Sequence, residues 1–356
     1  MINASLAQWS ELFMYISAII YMIAFILFTA DVASHSRTVR QLEQQDNATD
    51  QPLEAATTAH KRTSYIDSSE KGTGARGLVY KRAAERKLEG KVADSSMRWG
   101  ADTSPRRAAR IAVAIMIIGA LVHAIGVVTR GIAAHRVPWG NMYEFCTTGA
   151  LVVSTVFLIL LIFRDVRFVG MLVSGLALIM MCAATIAFPT PVGHLKPALQ
   201  SYWLVIHVSI AVLASGIFTI TFAMAILQLL QSRREKEIIA GQKPSMPFMT
   251  MVPSSQTLEN FAFRLNTVGF VMWTFTLAAG AIWAQKAWSR YWGWDVKEVW
   301  TFVIWVVYAA YLHARATRGW SGAPSAWLSI VGYLCIIFNF TVVNIFFSGL
   351  HSYSGL

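Results

Sequence analysis

The stretch YWGWDVKEVW, residues 291–300, sets indoles beside an Asp, a Lys and a Glu, with Trp283 and Trp288 just upstream. Trp283, Trp288, Trp292, Trp294, Trp300 and Tyr291 thus crowd into eighteen positions. Tryptophans at a membrane interface commonly anchor helices at the headgroup level, and they also pack re-entrant loops. An anchoring belt does not need so many on one side of one loop. Indole faces suit a large flat aromatic ligand, through stacking and burial of apolar area. Asp295, Lys297 and Glu298 add polar handles at the rim of such a site, and Lys297 or Arg290 is suited to meet carboxylates of the ligand.

Histidines narrow the ligand class. His207 lies in SYWLVIHVS and His351 in FFSGLHSY, on different segments but at similar depth near the tryptophan loop. Two imidazoles across a pocket can ligate one iron from both sides, and a flat apolar macrocycle that also wants imidazole is haem. His135 and His194 share that side, so four histidines allow six pairs and spacing alone does not select one. His313, in YAAYLHARATR, lies at the opposite end of its span. It is either a headgroup-level histidine beside Arg315 or a second ligand site, whose mate is His35 or an imidazole from another protein. His123 sits inside an apolar run, where a hydrogen-bonded packing role is the default and function the alternative. His60 reads as a solvated residue. Cys146, Cys182 and Cys335 form no CxxC and read as small apolar residues.

These residues must be held by membrane helices. The chain has 356 residues, 55% of them hydrophobic. Eight apolar runs are candidate spans: 12–30, 111–129, 145–163, 168–188, 202–230, 265–283, 299–315 and 327–347. The net charge of +11 suggests unequal loops rather than nucleic-acid binding. With the N-terminus outside, 24 of the 30 Lys and Arg fall on the cytoplasmic side and six on the outer side. The expected protein is an all-α integral membrane bundle of about eight transmembrane helices, in the plasma membrane, with both termini outside. The division is a first helix over 1–30, a disordered or loosely helical cytoplasmic insert over 31–109, and a seven-helix core over 110–356 with an outward-facing tryptophan-rich loop at about 282–300. No cleavable signal, glycine-rich phosphate loop or clear Ser-His-Asp signature is evident.

AIWAQKAWSRYWGWDVKEVW resembles the tryptophan-rich WWD signature of haem-handling membrane proteins of cytochrome c biogenesis. With VPWGNMYEF, LKPALQSYWLVIHV, YLHAR and NIFFSGLHSY, the chain resembles the CcsA/ResC family of the system II pathway over roughly 110–230 and 262–356. That resemblance implies haem b as the bound substrate, with His207 and His351 as axial ligands and His313 at a loading site. It implies Trp288, Trp292, Trp294 and Trp300 around the ring, with Asp295 beside them. It also implies a CcsB/ResB-type membrane partner supplying a histidine opposite His313, an apocytochrome c bearing CxxCH, and a thioredoxin-like thiol reductant. It further implies that the chain is a subunit of a haem lyase complex. A haem exporter without synthase chemistry, or a transporter of another ligand, is the alternative. Val296 stands where a proline commonly follows the motif's Asp, and Ser289 where glycine is common.

Overall fold

The computed structural model describes residues 3–60, 97, 106–195, 197–242, 244–317 and 320–351, with 38–60 described as backbone only. Its elements are α1 (Ala4–His60), α2 (Arg107–Ala134), α3 (Met142–Phe163) and α4 (Gly170–Cys182), which runs on as a π-turn over Ala183–Ala187. They continue with α5 (Tyr202–Ile239), α6 (Ser255–Trp288), α7 (Val296–Ala316), α8 (Ala323–Phe340) and the short α9 (Val342–Phe346). No strand occurs among the described residues. Among the described residues eight helical segments are long and apolar enough to cross a membrane, and they coincide with the eight apolar runs. The chain is therefore an all-α, multi-pass membrane protein.

Most helices outrun their apolar runs, because helical hydrogen bonding continues where the lipid-facing composition stops. At about 1.5 Å per residue, the 38 residues of α5 span roughly 57 Å, well beyond a hydrocarbon core of about 30 Å. Its polar last turns carry SRREKE. α1 likewise stays helical through His60, into the 31–109 insert. Residues 61–96 and 98–105 of that insert lie outside the described residues. Met97 is buried, and its carbonyl accepts a hydrogen bond from Asp165 N at 2.8 Å.

Two apolar cores organise the bundle. Met14, Tyr21, Phe28, Phe157 and Met181 join α1, α2, α3 and α4. Phe218, Trp273, Tyr308 and Tyr333 join α5, α6, α7 and α8, with the Phe218 and Tyr308 rings stacked at 3.8 Å. A buried carboxylate clamps each end. Glu144 receives Arg130 at 3.0 Å and Arg136 at 2.7 Å. The same arginines donate to the Thr190 and Gly193 carbonyls, tying down the loop between α4 and α5. At the other end Glu259 takes Arg315 at 2.9 Å and Gly322 N at 3.0 Å, closing the α7–α8 turn.

Candidate functional site

The tryptophan loop is a tight link between α6 and α7. Ser289 ends α6 in the left-handed region (φ 58°), and Trp294 repeats that conformation (φ 59°). Left-handed backbone at non-glycine residues is costly and clusters at functional loops. Glu298, in the first turn of α7, offsets this by accepting from Gly293 N at 2.8 Å and Asp295 N at 3.1 Å. The Arg290 guanidinium lies 3.7 Å from the same carboxylate. Ser289 thus occupies a C-cap position that favours glycine. Val296 is the first residue of α7, the position at which proline is favoured.

The loop and helix ends bring His207 and His351 to one cavity. His207 projects from the second turn of α5, and its Nδ1 lies 2.9 Å from the Thr276 carbonyl. A carbonyl only accepts, so Nδ1 carries the proton and Nε2 keeps its lone pair. Room for the ring comes from Gly280, where a Cβ would sit 2.7 Å from the imidazole. His351 follows α9, and its Nδ1 lies 2.7 Å from Asp295 Oδ2. That hydrogen bond holds the Asp295 carboxyl below the usual carboxylate range against the opposing effect of burial. The carboxylate therefore accepts from Nδ1–H, and here too Nε2 is left as the metal-binding atom. Gly349 permits the approach, since a Cβ there would collide with Asp295 Oδ1. The Trp283 ring touches both imidazoles, stacked on His207 at 5.8 Å and edge-on to His351 at 5.4 Å. Those two distances keep the imidazole centroids within about 11 Å of each other.

The cavity has a volume of about 140 Å³, within an empty space of about 1060 Å³ that takes in open solvent at its mouth. Four tryptophans wall it: Trp139, Trp273, Trp283 and Trp292. Trp139 hydrogen-bonds Ser209 at 3.2 Å and Trp283 the Ala198 carbonyl at 3.1 Å, which fixes both ring planes. The remaining indoles of the sequence motif are placed otherwise. Trp288 backs His351 edge-on at 4.8 Å, Trp294 is 74% exposed, and Trp300 lies against Phe338 at 4.3 Å. None of these three lines the cavity, and Asp295 reaches it through His351. Trp139 was legible within VPWGNMYEF. Trp273, in mid-span, carries no sequence signal that separates it from ordinary core.

His313 stands apart, exposed on the last turn of α7. Along that helix it lies about 18 Å from Thr301, which lines the cavity, at 1.5 Å per residue. Ile304, Tyr308 and Tyr311 fill the interval with core. His35 Nε2 lies 2.7 Å from Thr250 Oγ1, and buried His123 pairs with the Tyr21 hydroxyl at 3.1 Å. His135 caps α2 in the left-handed region, and His194 is exposed in the α4–α5 loop. Among the described residues no three His, Cys, Asp or Glu gather as a metal centre, and the three cysteines are free.

The Cytochrome C assembly protein family matches residues 139–351. The matched region begins at Trp139 and ends at His351, so it contains every residue lining the cavity and omits α1 and α2. A cytochrome c biogenesis protein CcsA from Prochlorococcus marinus is 35% identical over 268 residues, covering 68% of this chain and 83% of that protein. CcsA of Guillardia theta is 34% identical over 244 residues, covering 64% and 80%. CcsA of Microcystis aeruginosa is 32% identical over 285 residues, covering 68% and 85%. With the family spanning more than half of its length and these relatives aligned across most of theirs, the chain belongs to the CcsA family of cytochrome c assembly proteins, and its role lies in cytochrome c biogenesis.

Proposed function

We propose that this chain binds haem b in the tryptophan-walled cavity, with His207 and His351 as the two axial ligands, and positions it for covalent attachment to an apocytochrome c. One observation carries the reading. Two imidazoles from distant parts of the chain line a single cavity, and each has Nδ1 tied to an acceptor so that Nε2 is the free ligand atom. The donor set fits haem: two neutral imidazoles for the axial positions and indole walls for the ring.

The residues act by positioning. Thr276 and Asp295 aim the imidazoles, and the indoles keep water from the ring. An incoming CxxCH segment supplies a histidine that displaces one of the two axial imidazoles. Each of its thiols then adds across a vinyl group: the S–H bond and the vinyl π bond break, and one S–C and one C–H bond form. No net oxidant is consumed. Holding thiol and vinyl in register lowers the barrier by several kcal/mol, a share of the roughly 7–11 kcal/mol available to well-oriented reactants.

His313 serves a second site at the opposite end of α7, where a CcsB/ResB-type partner supplies the facing imidazole and a haem lyase complex is completed. Its exposure on a terminal turn supports this, since no described residue of this chain encloses it. A thioredoxin-like reductant keeps the apocytochrome thiols reduced. Lysine and arginine asymmetry supports a plasma-membrane orientation with both termini and the tryptophan loop outside, and the 31–109 insert in the cytoplasm.

The test is reconstitution of thioether formation from purified components, reading haem that stays attached to the apocytochrome under denaturation. The complex is expected to attach haem, and His207→Ala or His351→Ala to lose attachment with partial rescue by added imidazole. Attachment that proceeds equally without this chain would assign it to export alone and reject the synthase role.

A further inference from the structure

We propose that Lys297 is the carboxylate-recognising residue of the cavity, taking a porphyrin propionate and so fixing which edge of the ring points toward α7. This rests on the haem reading above. Among the described residues lining the cavity, Lys297 alone is a lysine or arginine. Among the described residues its direct contacts are neutral groups, Asn344 Oδ1 at 2.5 Å, the Asn339 carbonyl at 3.5 Å and the face of Phe340 at 5.3 Å, while the Asp295 carboxylate acts on it through space without a hydrogen bond. The neighbouring carboxylates are engaged elsewhere. Asp295 accepts from His351 and from Leu350 N, and Glu298 accepts from the loop backbone with Arg290 beside it. Arg290, the other cation of the loop, does not line the cavity. An ammonium drawn out of bulk water beside neutral acceptors gains most from an incoming anion, through a charge-assisted hydrogen bond.

Asn344 strengthens the assignment. Its Nδ2 donates to the Met142 thioether at 2.9 Å, a weak acceptor that a carboxylate readily replaces. Lys297 and Asn344 together therefore offer two donors to one carboxylate. The geometry also couples this contact to the metal. Lys297 lies two residues beyond Asp295, which holds His351, so the propionate contact and one axial ligand are built on the same end of α7. Vinyl and propionate groups occupy opposite halves of haem. A propionate at Lys297 leaves the vinyl edge on the far side of the cavity, where the thiols must arrive.

The assignment is tested by optical titration of the purified full-length chain in lipid nanodiscs, with haem and with haem dimethyl ester, whose carboxylates are blocked. The wild type is expected to bind haem about ten- to a hundredfold tighter than the ester, the range of one charge-assisted hydrogen bond. Lys297→Met should lower haem affinity to the ester's level and leave ester affinity unchanged, while Lys297→Arg should keep most of the preference. Wild-type protein that binds both porphyrins equally overturns the assignment without any variant and leaves the haem reading standing. So does a Lys297→Met variant that keeps its preference or weakens both ligands alike. Wild-type protein that binds neither porphyrin overturns both.

Discussion

On His207 the acceptor at Nδ1 is a main-chain carbonyl, and on His351 it is a carboxylate. The chemistry is equivalent but the consequences of mutation differ. Asp295→Asn removes the charge that raises imidazole basicity, and haem affinity should fall about 10- to 100-fold in an optical titration, the usual cost of losing such a support. Thr276→Val should leave affinity unchanged, because the Thr276 hydroxyl bonds the Met272 carbonyl and the His207 contact is to backbone. Equal losses in both variants would argue that the two contacts merely stabilise the fold. The sequence supplied the two histidines as types at similar depth. It did not supply the Asp295–His351 bond, which joins residues 56 apart with three helices between them, so the residues themselves mark Asp295 as a rim group and the resemblance places it beside the ring. Nor did it select the wall-forming indoles. The left-handed residues Ser289 and Trp294 re-aim the loop, and no periodicity tells which face each tryptophan takes.

At the scale of elements, the loop accommodates Ser289 and Val296 for identifiable reasons. Ser289→Gly should relieve left-handed strain of about 1 kcal/mol. Val296→Pro should be neutral or slightly stabilising, since the first helical position needs no intrahelical N–H bond. Thermal unfolding in detergent checks both; destabilisation by either would mean the cap geometry is misassigned. Glu144 is the stronger test of the α2–α3 end. Glu144→Gln strands two largely buried guanidiniums and should cost about 3 kcal/mol or more, read as a lower melting temperature and poorer yield. The spans themselves were legible because runs of about twenty apolar residues have few other uses. Their ends were not. Helix α1 runs on to His60 and α5 through SRREKE because helix propensity there is independent of lipid contact.

In the molecule as a whole, a packed aromatic core separates His313 from the cavity lined by His207 and His351. Phe218, Trp273, Tyr308 and Tyr311 stand between the exposed His313 and the cavity that holds His207 and His351. On the proposed reading the two sites act independently. His313→Ala should leave haem affinity of the purified chain, titrated from outside, unchanged, while haem recovered with the complex from cells falls. A variant that loses both would mean that His313 acts through the fold. The central claim is bis-imidazole ligation in the cavity, and electron paramagnetic resonance of the ferric haem-loaded chain tests it most directly. The account predicts a low-spin bis-imidazole spectrum in the wild type, conversion to high spin in both His207→Ala and His351→Ala, and return to low spin on adding imidazole. A high-spin wild type, or a low-spin spectrum that survives either substitution, would contradict it.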